Sequence, residues 1–275
     1  MKKYKLGLAT FGCGLDEVTQ IEIIKNAGFE AFFTGWNKTT IEAVANRSAQ
    51  LGMFWQSIHS PFYGECSVKH LWDGGEKGDA VTNILIECVK DCARFDIPVM
   101  VIHPFIGFKD HSPTQVGLDN YARIIEAANK LDVKLGFENV EGEEYLDAIM
   151  KRFWNEPALG FCYDSGHEMC YNRGRDMLAL YGEKLVHTHL NDNLGVRGEE
   201  ITFNDDLHLI PTDGIADWRD VMERINKTGY NGVIMSELSY ANIVGRNGTV
   251  HKYAELSVEK FVSEAYKKIT AAVYS

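Results

Sequence analysis

Short apolar runs rich in β-branched and aromatic residues alternate with longer stretches of helical period along the whole chain. The runs fall at residues 4–9, 31–34, 54–59, 99–103, 134–138, 160–164, 185–190 and 233–237, and each predicts a strand. Between them the helical period is plainest at residues 19–27, 81–95, 115–131 and 218–227. Asn26-Ala27-Gly28-Phe29, Phe95-Asp96-Ile97-Pro98 and Lys227-Thr228-Gly229-Tyr230 each set a glycine or proline between a helix and the next strand.

Strands that alternate with helices pair in parallel through right-handed crossovers. Eight units in 275 residues leave about 34 residues each, enough for a strand, a helix and two loops. The expected fold is an α/β (β/α)8 TIM barrel, a single domain over residues 1–275, since no linker or break in composition divides the chain. An open doubly wound sheet is the alternative. It would want a phosphate-binding turn after the first strand. Phe11-Gly12-Cys13-Gly14 is only half of a G-x-G-x-x-G, and Glu17 stands where the third glycine belongs, so no nucleotide cofactor is expected. The long insertions at 62–79 and 191–217 both follow strands, which puts them on the C-terminal face of a barrel, where substrate loops occur.

Twenty-eight Lys+Arg against 39 Asp+Glu gives a net charge of -11, which argues against a surface built for nucleic acid. No run approaches the ~18 apolar residues of a membrane span. Leu6-Gly7-Leu8-Ala9, behind Lys2, Lys3 and Lys5, is too short for a signal sequence. The cysteines at 13, 66, 88, 92, 162 and 170 form neither a C-x-x-C pair nor a disulfide scaffold, so the expected compartment is cytoplasmic. Cys88 and Cys92, four apart in a helix, read as packing.

What ends the strands changes the picture. His59, His103, Glu138 and Asp164 close four of the apolar runs, His189 stands near the end of a fifth, and Glu237 ends a sixth. A single such residue commonly does no more than cap a loop. Asp164 could cap Ser165-Gly166-His167, and His59 and His103 could begin the turns at Pro61 and Pro104. Six strands ending this way are harder to read as six caps. In a barrel the six positions form a ring at one mouth. Three imidazoles and three carboxylates are a ligand set suited to Mn²⁺, Zn²⁺, Co²⁺ or Fe²⁺. Carboxylates crowded into one pocket also repel each other unless a cation neutralises them. His187, two before His189, points to the same face and is expected one layer below. His167, and the pair Asp206 and His208, could join the same site.

Ser57-Ile58-His59-Ser60-Pro61, Val101-Ile102-His103-Pro104, Glu138-Asn139-Val140, Tyr163-Asp164-Ser165-Gly166-His167, His189-Leu190-Asn191-Asp192, Asp206-Leu207-His208 and Ser236-Glu237-Leu238 follow one another in this order. Together they resemble the xylose isomerase-like TIM-barrel superfamily, which holds sugar and sugar-phosphate isomerases and epimerases and the endonuclease IV family. The resemblance to the epimerase branch implies one divalent metal (Mn²⁺, Zn²⁺ or Co²⁺) held by Glu138, Asp164, His189 and Glu237. It implies that Glu138 and Glu237 also handle protons, with His167 as a third catalytic-site residue. It implies substrate contacts from Glu144 and from an arginine, here displaced to Arg197. His59, His103 and Trp72 complete the expected substrate-binding set. The endonuclease branch maps instead onto His59, His103, Glu138, Asp164, His167, His189, Asp206, His208 and Glu237 as a three-zinc cluster, but its His-x-x-Tyr signature is absent after His59.

The expected activity is thus metal-dependent isomerisation or epimerisation of a small-molecule sugar or sugar phosphate. Dehydration of a keto-polyol, phosphodiester cleavage and non-catalytic sugar binding stand as alternatives. Trp36, Phe62, Tyr63, Trp72, Phe105 and Tyr240 are candidates to stack on a sugar, and Lys69, Lys109, Arg197 and Arg246 to meet a phosphate. Homo-oligomerisation is left open.

Overall fold

The structure, a computed structural model, describes residues 4–109, 112–196, 198–240, 253 and 255–274. Eight strands lie in chain order: β1 (Leu6–Ala9), β2 (Ala31–Gly35), β3 (Phe54–His59), β4 (Val99–Ile102), β5 (Lys134–Glu138), β6 (Leu159–Asp164), β7 (Leu185–His189) and β8 (Ile234–Ser236). The helices between and after them are α1 (Glu17–Ala27), α2 (Ile41–Leu51), α3 (Lys69–Asp73), α4 (Gly75–Arg94), α5 (Gln115–Leu131), α6 (Glu143–Phe153), α7 (Ser165–Cys170), α8 (Met177–Tyr181), α9 (Trp218–Lys227) and α10 (Val258–Val273). The sheet order is β7-β6-β5-β4-β3-β2-β1-β8, so each strand lies beside its neighbour in sequence, and every paired strand runs parallel.

The last seam, between β7 and β8, is closed just past the end of the ladder. Leu190 pairs with Ser236, and its N–H donates to the Met235 carbonyl at 2.8 Å. The Thr188 hydroxyl donates to that same carbonyl at 3.0 Å and accepts the Met235 N–H at 2.9 Å. A side chain thus supplies hydrogen bonds that a backbone ladder makes elsewhere. The closed ring is the (β/α)8 TIM barrel, not an open doubly wound sheet.

Local chemistry explains where the helices start. Asp16, Thr114, Asp217 and Ser257 each turn a side-chain oxygen onto a backbone N–H of the first turn of α1, α5, α9 and α10. Helix α4 begins six residues earlier than the periodicity predicts, at Gly75, because the 62–79 insertion folds into α3 and the first turns of α4. The outer faces of the strands and the inner faces of the helices form the main core, in which Leu8, Ile21, Ile24, Phe32, Phe137 and Phe161 are fully buried or nearly so. Cys88 and Cys92 lie in that core as free thiols. Among the described residues no helix is long and apolar enough to cross a membrane.

The barrel interior carries the arrangement that matters for the site. Between β6 and β7 the register steps from Phe161↔Leu185 to Cys162↔His187, so Val186 is an extra residue in β7. A one-residue step exchanges the faces of everything beyond it. Val186 turns inward against Val99, Val101 and Cys162, and His187 and His189 come level with Cys162 and Asp164. Gly160 makes room for this, since a Cβ there would sit 2.4 Å from Val186 Cγ2.

Candidate metal centre

Glu138, at the end of β5 and fully buried, is the hub of the mouth. Its Oε1 lies 3.0 Å from His189 Nδ1 and 3.3 Å from His167 Nδ1, and its Oε2 lies 3.4 Å from His59 Nε2 and 3.2 Å from His103 Nε2. Four imidazoles from β3, the β4 end, α7 and β7 therefore converge on one carboxylate. Glu237, just past β8, brings its Oε2 to 3.1 Å from the same His189 Nδ1.

Asp164 is placed by its neighbours. The Asn139 side chain donates to the Asp164 carbonyl and accepts its N–H, both at 2.8 Å. Asp164 Oδ1 accepts the His167 N–H at 2.7 Å and starts α7, and Oδ2 accepts the Asn191 amide at 2.9 Å. Gly166 is needed here, because a Cβ would sit 1.9 Å from Asn191 Oδ1. The 191–217 insertion then delivers Asp206 and His208. Asp206 Oδ2 lies 3.2 Å from His167 Nε2 and 2.9 Å from His208 Nε2, and His208 holds a left-handed backbone with φ 46°.

One ligand atom from each of Glu138, Asp164, His189 and Glu237 lies within 4.8 Å of all the others. Two further groups at the mouth meet the same condition, His59, His103 and Glu138, and Asp164, His167 and His208, and a third, Cys162, His187 and His189, lies beneath them. His189 Nδ1 hydrogen-bonds to Glu138 Oε1, and Asp206 Oδ2 to His167 and His208, but Glu138 Oε2 and His167 Nδ1, both buried, make no hydrogen bond. Lone pairs that converge on a shared space, in a nitrogen and carboxylate set, fit a divalent cation.

The charges are strongly perturbed. Burial alone would raise the Glu138 carboxyl, but His189, His103 and His167 outweigh it and hold it well below the usual carboxylate range. Glu237 is likewise held down at about 2, because His189 and His208 override the effect of burial. Asp164 goes the other way, pushed up to about 6 by burial that its histidines only partly offset. Burial lowers His103 to about 4, whereas Asp206 overcomes burial and raises His208 to about 9.

Above the carboxylates opens a cleft of about 560 Å³, walled by Trp36, Phe62, Tyr63, Tyr171 and Phe203 and floored by His59, His103, His167, His208 and Glu237. Phe62 stacks on His103 with ring centres 4.0 Å apart, and Tyr171 leans on His167 at 4.7 Å. Among the described residues no lysine or arginine lines this cleft.

Other expected contacts lie elsewhere. Trp72 is buried between Tyr121 and Tyr145, its indole donating to the Pro104 carbonyl at 2.7 Å, so it supports the floor of a loop and does not face the cleft. Glu144 is exposed on α6 beside a neighbouring cavity of about 540 Å³ that also holds Lys109 and Arg173. Glu141, three residues earlier, reaches the main cleft instead and accepts the Gly107 N–H at 2.7 Å. Phe105 stacks on Tyr145, and Tyr240 packs on Phe11 and Phe261. Lys69 lies over Phe105. Arg197 and Arg246 lie outside the described residues. Sequence reasoning did not single out Asn139, Glu141, Tyr171, Asn191 or Phe203. Asn139 and Asn191 stand beside Glu138 and two after His189 in the motifs themselves, which was a usable signal.

The family model described as xylose isomerase-like TIM barrel matches residues 18–260. The chain belongs to that family. Among curated proteins it is 27% identical to an uncharacterized protein of Methanocaldococcus jannaschii over 74% of this chain and 71% of that one. It is 30% identical to the rhizopine catabolism protein MocC of Rhizobium meliloti over 36% of this chain and 33% of that one. A match to an uncharacterized protein of Sinorhizobium fredii, also 30% identical, spans 45% of this chain and 39% of that relative's length. Among solved structures, a D-psicose 3-epimerase of Clostridium cellulolyticum superposes with a TM-score of 0.74 at 13% identity, covering 98% of each chain. A 3-keto-D-glucoside 4-epimerase of E. coli gives 0.70 at 14%, covering 99% of this chain and 100% of that one. At such identities these neighbours establish a shared fold.

Proposed function

We propose that this xylose isomerase-like barrel is a divalent-metal-dependent epimerase or isomerase of a small sugar or sugar derivative. The observation that carries the reading is the pair of carboxylates on one nitrogen: Glu138 and Glu237 approach His189 Nδ1 at 3.0 and 3.1 Å from different strands, beneath an aromatic-walled cleft. The neighbours that are named as ketose and keto-glucoside epimerases support it. Glu138, Asp164, His189 and Glu237 would hold the cation. When bound, it supplies positive charge beside the oxygen where negative charge develops as an adjacent carbon loses its proton.

The chain's own residues do the rest. Both glutamates are ionised at neutral pH, so either can accept a proton. One takes it from the carbon and the other returns it, to the opposite face in epimerisation or to the neighbouring carbon in isomerisation. His167 and His208, protonated against Asp206, offer N–H donors to substrate hydroxyls. Trp36 and Phe62 offer flat faces to the apolar side of a sugar ring. The decisive measurement is incorporation of solvent deuterium into a panel of ketoses and ketose phosphates incubated with Mn²⁺-, Co²⁺- or Zn²⁺-loaded protein. Exchange with interconversion supports the proposal. Loss of water from a keto-polyol without interconversion would move it to a dehydratase of the same proton chemistry.

A second reading rests on one specific observation. The central ligand group overlaps one flanking group at Glu138 and the other at Asp164, an arrangement that three ions for phosphodiester cleavage would need. The net charge of -11 and the cleft without described lysine or arginine oppose a nucleic-acid substrate. Nicking of duplex DNA at abasic sites would favour it.

A further inference from the structure

One layer below the hub, Cys162 on β6 and His187 on β7 are register partners whose side chains enter the barrel, and His189 stands directly above. Cys162 Sγ and one nitrogen from each imidazole lie within 4.8 Å of one another, and all three residues have no exposed surface. His187 Nε2 meets Ser57 Oγ at 3.3 Å, but its Nδ1 has no hydrogen-bond partner. His189 turns Nδ1 to Glu138 and Glu237, and its Nε2 is met by neither nitrogen nor oxygen, the Cys162 thiol being the group that interacts with this ring from below. Val99, Val101 and Val186 form the apolar wall of this layer. A buried polar atom left unmet costs on the order of 1–3 kcal/mol, so an orphaned His187 nitrogen, next to a His189 ring whose lower side meets only a thiol, is not explained as packing.

We propose that Cys162, His187 and His189 form a second cation site, beneath the mouth, that takes Zn²⁺ or an ion of similar softness. Each ligand would lie about 2.0–2.3 Å from such an ion, which asks for side-chain shifts of under about 1 Å. His189 is shared: Nδ1 serves the carboxylates above and Nε2 the site below. The two levels differ in kind. Oxygen-rich ligands above accept hard ions, while a thiolate with two imidazoles below discriminates against Mn²⁺ and Mg²⁺. Binding converts the Cys162 S–H to an S–Zn bond, and the protons displaced from the thiol and from His189 Nε2 pass to solvent; when the mouth is also filled, His189 bridges the two levels as an imidazolate and releases its Nδ1 proton too.

The test is a Co²⁺ titration of the metal-free protein, followed by absorption and by bound-metal content, with no sugar present. Thiolate-to-Co²⁺ charge transfer in the near ultraviolet is expected. Cys162→Val should remove that band and bind one equivalent fewer, whereas Glu237→Gln should keep the band. His187→Gln, which leaves the thiol in place, should weaken the Co²⁺ affinity read at the band by at least about tenfold, and it serves if Cys162→Val does not fold. A wild-type protein without the band overturns the site, as does a band unchanged in Cys162→Val, which would belong to the partly exposed Cys13 or Cys66. The readout is independent of turnover: a band without sugar conversion sinks the proposed reaction alone, and conversion without a band sinks this site alone.

Discussion

The carboxylate of Asp192 accepts the indole N–H of Trp218 at 2.9 Å, tying the end of the β7 motif to the first turn of α9. Its two oxygens also accept the backbone N–H groups of Asn193 at 2.9 Å and of Thr212 and Ala216 at 3.0 Å. The loop that delivers Asp206 and His208 is therefore drawn around one buried carboxylate. Asp192→Asn keeps the shape but sets an NH₂ against N–H donors. It should cost about 3 kcal/mol in urea unfolding and open residues 193–217 to proteolysis. An unchanged unfolding midpoint and cleavage pattern would refute this.

Thr188 is expected to matter to the barrel's closure more than its size suggests. Thr188→Val retains the volume and removes the hydroxyl, leaving the buried Met235 N–H without its acceptor. A loss of about 1–3 kcal/mol is predicted, with Thr188→Ser near wild type. Equal stability of the Val and Ser variants would contradict it.

Glu237→Gln removes both a proton carrier and a cation ligand without changing shape. Solvent-deuterium incorporation into the substrate should fall by about 10³-fold, while circular dichroism stays that of the native protein. Exchange at the wild-type rate would remove Glu237 from the reaction.

Cation affinity should depend on pH in a set direction. Burial pushes Asp164 up to about 6, so below that pH the group carries a proton which the ion must displace. Affinity measured by chelator competition should rise by about tenfold per unit as pH climbs toward 6 and then level off with respect to this residue. His189, held protonated against burial by its carboxylates, adds a slope across the whole range, so an equal slope on both sides of pH 6 would exclude Asp164 as a ligand.

The strand ends were readable because each apolar run is short and ends in a residue with ligand chemistry, and a barrel is the topology that gathers such ends. Parity placed His187 and His189 on one face, as the structure has them. It could not foresee that Val186 also turns inward, because a bulge is set by pairing across strands and leaves no mark of its own in the chain. Trp72 looked like a sugar platform because tryptophan serves either purpose. Its burial depends on Tyr121 and Tyr145, far along the chain. Glu141 stands in the loop between β5 and α6 and Glu144 in the first turn of α6, and only the path of that loop decides which one faces the cleft. Asp192 was visible as part of a motif, but its donors at Thr212 and Trp218 stand 20 and 26 residues away.

The seam between β7 and β8 has one more implication. His189 lies on one side of it and Glu237 on the other, so whatever grips both residues acts as a rivet through the joint where the ring meets its own beginning. Occupancy of the mouth and the integrity of the whole cylinder then rise and fall together. Amide exchange at Leu190 and Met235 would register the arrival of a ligand before any product is formed.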